Sequence, residues 1–272
     1  MTGHQRQILD ELRHIEEKHG VKILYACESG SRAWGFPSQN SDYDVRFLYV
    51  HPVAWYLSIE EKRDVIECPI HDMLDINGWE LRKALKLFKK SNPPLLEWLY
   101  SPIQYHEAYT VAERLRQLTQ KAFSPRAAIY HYLHMAKGNF RGYLTGEHVK
   151  IKKYFYVLRP VLGCLWIQKH QTMPPLVFEQ LVEELIPEGS RLRADIDALL
   201  ARKKAGAELD VGARVESIHA FLEEQIAHLE KLAGEMPVAE GVSTAQLDEL
   251  FRSALDEVWS ATGQRGEVNA PV

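Results

Sequence analysis

Residues 27–47 read Cys27-Glu28-Ser29-Gly30-Ser31-Arg32-Ala33-Trp34-Gly35-Phe36-Pro37-Ser38-Gln39-Asn40-Ser41-Asp42-Tyr43-Asp44-Val45-Arg46-Phe47. The stretch begins as an apolar run ends (Ile23, Leu24, Tyr25, Ala26), turns through Gly30-Ser31, and enters a second β-like run. Successive side chains of a strand point to opposite faces, so Asp42, Asp44 and Arg46 share one face while Tyr43, Val45 and Phe47 share the other. Two carboxylates held that close repel, and a fold tolerates them most easily when a cation neutralises them. Mg2+ (or Mn2+) suits that place, because a hard ion is satisfied by carboxylate oxygens together with substrate phosphates. The Gly30-Ser31 turn offers backbone N–H groups and a hydroxyl at little steric cost, which is what a triphosphate needs.

Gly30-Ser31 followed, after ten intervening residues, by Asp42-Tyr43-Asp44-Val45 resembles the signature of the DNA polymerase β-type nucleotidyltransferases. Gly30-Ser31-Arg32-Ala33-Trp34-Gly35 is similar to the form found in small bacterial and phage members. Downstream, Gly78-Trp79-Glu80-Leu81-Arg82-Lys83-Ala84-Leu85, then Ser91-Asn92-Pro93 and Leu96-Glu97-Trp98, resembles the RNA repair pathway polymerase β-family branch. The likeness covers roughly residues 20–165, with only helical pattern beyond.

The resemblance implies an α+β fold, with a small mixed sheet flanked by helices in a nucleotidyltransferase catalytic domain (residues 1–107). An all-α domain (residues 108–262) would close the nucleotide cleft, and residues 263–272 read as a disordered tail. The implied reaction is metal-dependent transfer of a nucleoside monophosphate from an NTP to an acceptor hydroxyl with release of pyrophosphate. The family name implies an RNA end as acceptor, in repair or tailing. Asp42 and Asp44 would bridge two metal ions, with Gly30 and Ser31 cradling the β- and γ-phosphates. Sites of this type use a third carboxylate on the neighbouring strand; Asp75, between Leu74 and Ile76, matches that pattern, with Asp72 as its competitor.

The net charge of −4 conceals an asymmetry. Residues 1–175 carry 24 Lys and Arg against 18 Asp and Glu, whereas residues 176–272 carry 9 against 19. An anionic substrate therefore favours the first part. Within it, Lys137, Arg141, Lys150, Lys152, Lys153 and Arg159 stand against the single acid Glu147, interleaved with Tyr154, Phe155 and Tyr156. Such a segment suits a triphosphate, a base or RNA. In related two-lobed enzymes a helical lobe supplies lysines to the triphosphate, and Lys152 or Lys153 resembles that role, with Lys137 and Arg141 as further nucleotide-binding candidates. Arg32, inside the Gly-Ser loop, either clamps phosphate or faces solvent. The simplest role for Arg46 is to pair with a carboxylate.

With 46% hydrophobic and 26% charged residues the composition is that of an ordinary globular protein. No apolar run approaches a membrane span, and Met1–Arg6 is too polar for a signal peptide, so the expected location is cytoplasmic. Cys27, Cys68 and Cys164 are widely spaced, and the twelve histidines show no zinc-ligand spacing.

Along the chain the pattern predicts a helix over residues 4–19 and strands over 21–27, 42–50, 65–67 and about 72–76. Asn77-Gly78 is expected to open a helix whose body, residues 81–90, carries an apolar face and a lysine-rich one. Ser124-Pro125 marks a further helix start. Helices are expected over residues 149–170 with a kink at Pro160, and over 178–185, 190–204, 211–232 and 244–259. The base, the acceptor and the oligomeric state stay open. Two rival readings remain: transfer to a small molecule or a protein, and a non-catalytic nucleotide sensor or partner-binding module.

Overall fold

A computed structural model describes residues 3–206, 211–237 and 240–260 of the chain. The tail 263–272 lies outside them. Helix α1 (Gly3–His19) buries Ile8, Leu12 and Ile15, one stripe at helical spacing. Strands β1 (Lys22–Glu28) and β2 (Tyr43–Val50) pair antiparallel and are joined through the one-turn helix α2 (Gly30–Ala33). After α3 (Val53–Tyr56), β3 (Val65–Glu67) pairs antiparallel with β4 (Leu74–Glu80), and β4 runs parallel to β2. Helices α4 (Leu81–Lys89) and α5 (Pro93–Leu99) lead to β5 (Gln104–Glu107). The five strands form one mixed sheet in the order β3-β4-β2-β1-β5.

The remaining chain is almost entirely helical: α6 (Val111–Ala122) and α7 (Pro125–Tyr143), then β6 (His148–Lys150), then α8 (Lys153–His170), α9 (Phe178–Leu185) and α10 (Arg191–Lys204). A short β7 (Val211–Ala213) precedes α11 (Glu216–Glu235) and α12 (Thr244–Ser260). The architecture is thus α+β, a small mixed sheet flanked by helices and followed by a helical region. No helix among the described residues is long and apolar enough to cross a membrane.

Strand alternation builds a core on each side of the sheet. Val45, Phe47 and Tyr49 of β2 pack with α1, while Leu48 and Val50 pack with α4, α5, α6 and α12. The last described helix therefore returns to the sheet, lying on α4 and α6. A third core joins α7, α8, α9, α10 and α11. Phe36, from the loop after α2, enters that third core and contacts Phe155 and Phe178 at ring distances of 5.0 and 5.5 Å. Burying such a ring contributes about 2–3 kcal/mol, enough to hold the Gly-Ser loop against the helices.

Several sequence expectations change. Asn77 and Gly78 do not open a helix: β4 continues to Glu80, whose side chain accepts from the backbone N–H groups of Arg82 and Lys83 and caps α4. Gly78 is a packing requirement, because a Cβ there would lie 2.2 Å from the ring of Phe47 on the paired strand. Val149–Lys150 and Val211–Ala213 belong to a two-stranded ribbon, not to helices. That pairing, like β5 against β1, joins segments distant in sequence, so no local periodicity announces it. Helix α8 keeps Pro160 inside its span, as the pattern predicts.

Candidate active site

The Gly-Ser turn is shaped by what lies over it. Ser29 is extended and donates its N–H to the Asp44 carbonyl at 2.8 Å, and Gly30 then turns with φ +59°. A Cβ at Gly30 would sit 2.1 Å from Asp44 Oδ2, so only glycine lets this carboxylate approach the loop. Arg32 is engaged in holding the acidic turn: its guanidinium donates to the carbonyls of Ser41 (2.8 Å) and Asp42 (3.1 Å) and stacks 3.7 Å over the Tyr43 ring.

Asp42, just before β2, and Asp44 line the same cleft, and parallel pairing of β2 with β4 sets Asp75 directly beside Asp44. Arg46 lies between the latter two, donating to Asp44 Oδ1 at 3.1 Å and Asp75 Oδ2 at 2.8 Å, and also to the Asp75 carbonyl. Asn77 steadies Asp75 with a 2.6 Å hydrogen bond. Asp72 instead sits in the turn before β4, with φ +47° and an exposed side chain beside His71. Burial raises the Asp44 pKa above its ordinary value; Arg46 opposes this, and the charges of Asp75 and Asp42 add to it.

Glu28, which sequence reasoning passed over, is fully buried behind this group. It accepts from the Asp44 N–H at 2.7 Å and from the Tyr105 hydroxyl. Burial pushes its pKa up to about 7, against the pull of those two hydrogen bonds. A charged residue closing an otherwise apolar strand was the one signal available for it.

Among the described residues, no three carboxylate, imidazole or thiolate groups stand as a finished metal cage. The donor chemistry nevertheless fits a hard cation: Arg46 joins the carboxylates of Asp44 and Asp75, and the charge of Asp42 acts on Asp44 from close by.

The opposite wall is helical. A cleft of about 480 Å³, including its open mouth, is lined by Ser31, Ser38, Asp42 and Asp44 on one side and by Lys152, Tyr156 and Lys203 on the other. Burial and then the charges of Asp44 and Asp42 raise the Tyr156 pKa, which marks how near that phenol lies to the acids. Lys203 of α10 is 7% exposed, and its Nζ reaches Ser38 Oγ at 3.2 Å. Burial first, and the nearby Lys152 charge second, lower its pKa. Two ammonium groups beside serine hydroxyls make a cradle for an anion.

Lys203 was missed because α10 reads as an ordinary solvated helix in an acid-rich stretch. Of the other basic candidates, Lys153 lies over the rings of Tyr143 and Tyr156 at 4.4 and 4.6 Å, Lys137 pairs with Glu230, and Arg141 is exposed at the end of α7. None of these three lines the cleft.

Comparisons with known proteins give the family. The profile of the RNA repair pathway DNA polymerase beta family matches residues 4–253. The uncharacterized protein YcgL of Bacillus subtilis (strain 168) is 56% identical over 259 residues, which is 95% of this chain and 99% of that one. A crystal structure of a nucleotidyltransferase-like protein from Exiguobacterium sibiricum 255-15 aligns over 95% of this chain and 94% of its own, at 14% identity and a TM-score of 0.27.

Proposed function

The chain belongs to the RNA repair pathway DNA polymerase beta family, and on that premise we propose that it transfers a nucleoside monophosphate from an NTP to the terminal hydroxyl of an RNA. The observation that supports this reading is one cleft with Asp42 and Asp44 on one wall and Lys152 and Lys203 on the other, Asp75 standing beside Asp44 on the paired strand. In the reaction the acceptor oxygen forms a bond to the α-phosphorus, the bond to the bridging oxygen breaks, and pyrophosphate leaves. Ser31, Ser38, Lys152 and Lys203 are positioned to hold the β- and γ-phosphates, where charge accumulates on the leaving group. Asp75 is the base that accepts the acceptor hydroxyl's proton. Arg46 holds Asp44 and Asp75 together, and these carboxylates would be shared with a cation bound there. Asp42, Asp44 and Asp75 would hold Mg2+ or Mn2+, which would supply neutralisation of the charge that develops in the transfer.

The RNA acceptor rests on the family and on the basic, aromatic segment 137–159. The division of labour is part of the same proposal: residues 1–107 carry the acids, and residues 108–262 supply the far wall of the cleft. The test supplies each of the four NTPs, labelled at the α-phosphate, with cell RNA and Mg2+. Label should enter RNA with matching pyrophosphate release, and Asp44→Asn should abolish both. Label on a small molecule or a protein overturns the RNA acceptor; absence of any NTP turnover overturns the transferase reading in favour of a nucleotide sensor.

A further inference from the structure

Behind the aromatic edge of the cleft lies a second cavity, of about 370 Å³ including its mouth, between α5, α7 and α8. It shares Phe155 and Tyr156 with the cleft, so the two are neighbours across one pair of rings. Its walls are Trp34, Met135 and Tyr156, and its polar lining is Glu97, His131 and Arg159.

That polar lining is incompletely paired. Arg159 is 5% exposed; its NH1 donates to Glu97 Oε1 at 3.0 Å, and its guanidinium stacks 4.6 Å from the Trp34 ring. The Tyr132 hydroxyl donates to the same carboxylate oxygen at 2.6 Å. Yet Arg159 Nε and His131 Nε2 are buried without a hydrogen-bond partner, two of four such side-chain atoms among the described residues. A buried polar atom left unpaired is costly, and two at one cavity call for a common partner.

Their placement along α8 indicates which partner. Lys152, Tyr156 and Arg159 follow at spacings of four and three, so they lie along one face of the helix. From Lys152 to Arg159 this face extends about 10 Å, of the order of the distance from a nucleotide's phosphates to its base. Lys152 belongs to the cleft, Tyr156 to both spaces, and Arg159 to the second cavity.

We propose that this second cavity is the base site of the incoming nucleotide. The base is a flat ring packed against Tyr156 and Trp34, with an acceptor on its edge meeting Arg159 Nε and a second edge atom pairing with His131 Nε2. The proposal rests on the NTP-binding reading above and deepens it. Glu97 and Tyr132 hold the guanidinium in place, so selectivity among bases arises from a preset edge.

Calorimetric titration of the full chain, in Mg2+, with ATP, CTP, GTP, UTP and inorganic tripolyphosphate tests it. At least one NTP should bind about tenfold more tightly than tripolyphosphate, with unequal affinities among the four. Met135→Trp fills the cavity from its half-exposed side without touching the buried ion pair, and His131→Phe removes one edge contact. Both should reduce NTP affinity toward that of tripolyphosphate while tripolyphosphate binding holds. Equal binding of all five probes by the wild type, or an unaltered NTP preference in both variants, overturns the base site and leaves the transferase reading standing. Binding of none of the five overturns both.

Discussion

The molecule contains two arginine–carboxylate systems that differ in balance. Arg159 and Glu97 form a one-to-one pair with side chains 6% and 11% exposed, completed by the Tyr132 hydroxyl. Arg46 serves Asp44 and Asp75 together, with side chains 17%, 30% and 24% exposed, and Asp42 and buried Glu28 lie beside them. The first system balances its own charge and leaves only hydrogen-bonding capacity unused, at Arg159 Nε and the neighbouring His131 Nε2. The second carries negative charge that its one arginine does not cancel, in a place open to solvent. The lesson is that a buried ion pair by itself argues for structure, whereas surplus like charge at a cleft argues for a visiting cation.

The comparison breaks most sharply if Asp44 proves dispensable. Asp44→Asn is expected to lower NTP turnover by at least about 10³-fold with the melting profile kept, as read by pyrophosphate release and circular dichroism. The buried pair should behave in the opposite way. Glu97→Ala leaves Arg159 buried and uncompensated, costing about 3–5 kcal/mol of stability, whereas replacing both partners by methionine should cost far less. Denaturant titration of the single and double variants decides this, and equal costs for the two would contradict it.

Metal addition sharpens the contrast further. Mg2+ at a hundredfold excess over its dissociation constant should stabilise the wild type by about 2.7 kcal/mol and leave Asp44→Asn almost unmoved. A melting temperature that rises equally in both would locate the ion elsewhere. Lys203→Met should then raise the NTP concentration for half-maximal rate by about 10- to 100-fold, since it removes a charged phosphate contact. Steady-state kinetics at varied NTP measure it, and an unchanged value would remove Lys203 from the cradle.

The smallest effect is on pH. The folded-state pKa of Glu28, about 7, lies above its ordinary value, so the folded chain binds more protons than the unfolded chain between the two. Its protonated form is therefore fully accommodated at acid pH, and metal-free stability falls as pH rises toward 7. Glu28→Gln should flatten that slope, measured by denaturant midpoints across the same range.

Parts of this were legible before any fold was known. The side-by-side placement of Asp42 and Asp44 follows from the period of a strand, and the boundaries of the amphipathic helix α9 follow from its spacing. The choice of Asp75 over Asp72 as the neighbour of Asp44 needed the register of β4 against β2. Gly78 reads locally as part of a helix opening, whereas its tertiary role is to leave room for the Phe47 ring. Lys203 carried no signal at all, because its partner Ser38 is 165 residues away.

By itself, then, the sequence determined the acids, the glycine turn and the family, since these depend on residue type and short-range periodicity. Tertiary structure alone decided which third carboxylate joins them, that Lys152 and Lys203 face the cleft while Lys153 and Lys137 do not, and that Arg159 reaches a cavity behind it. Strand register and helix packing are set by contacts between distant residues, and local pattern carries no record of those contacts.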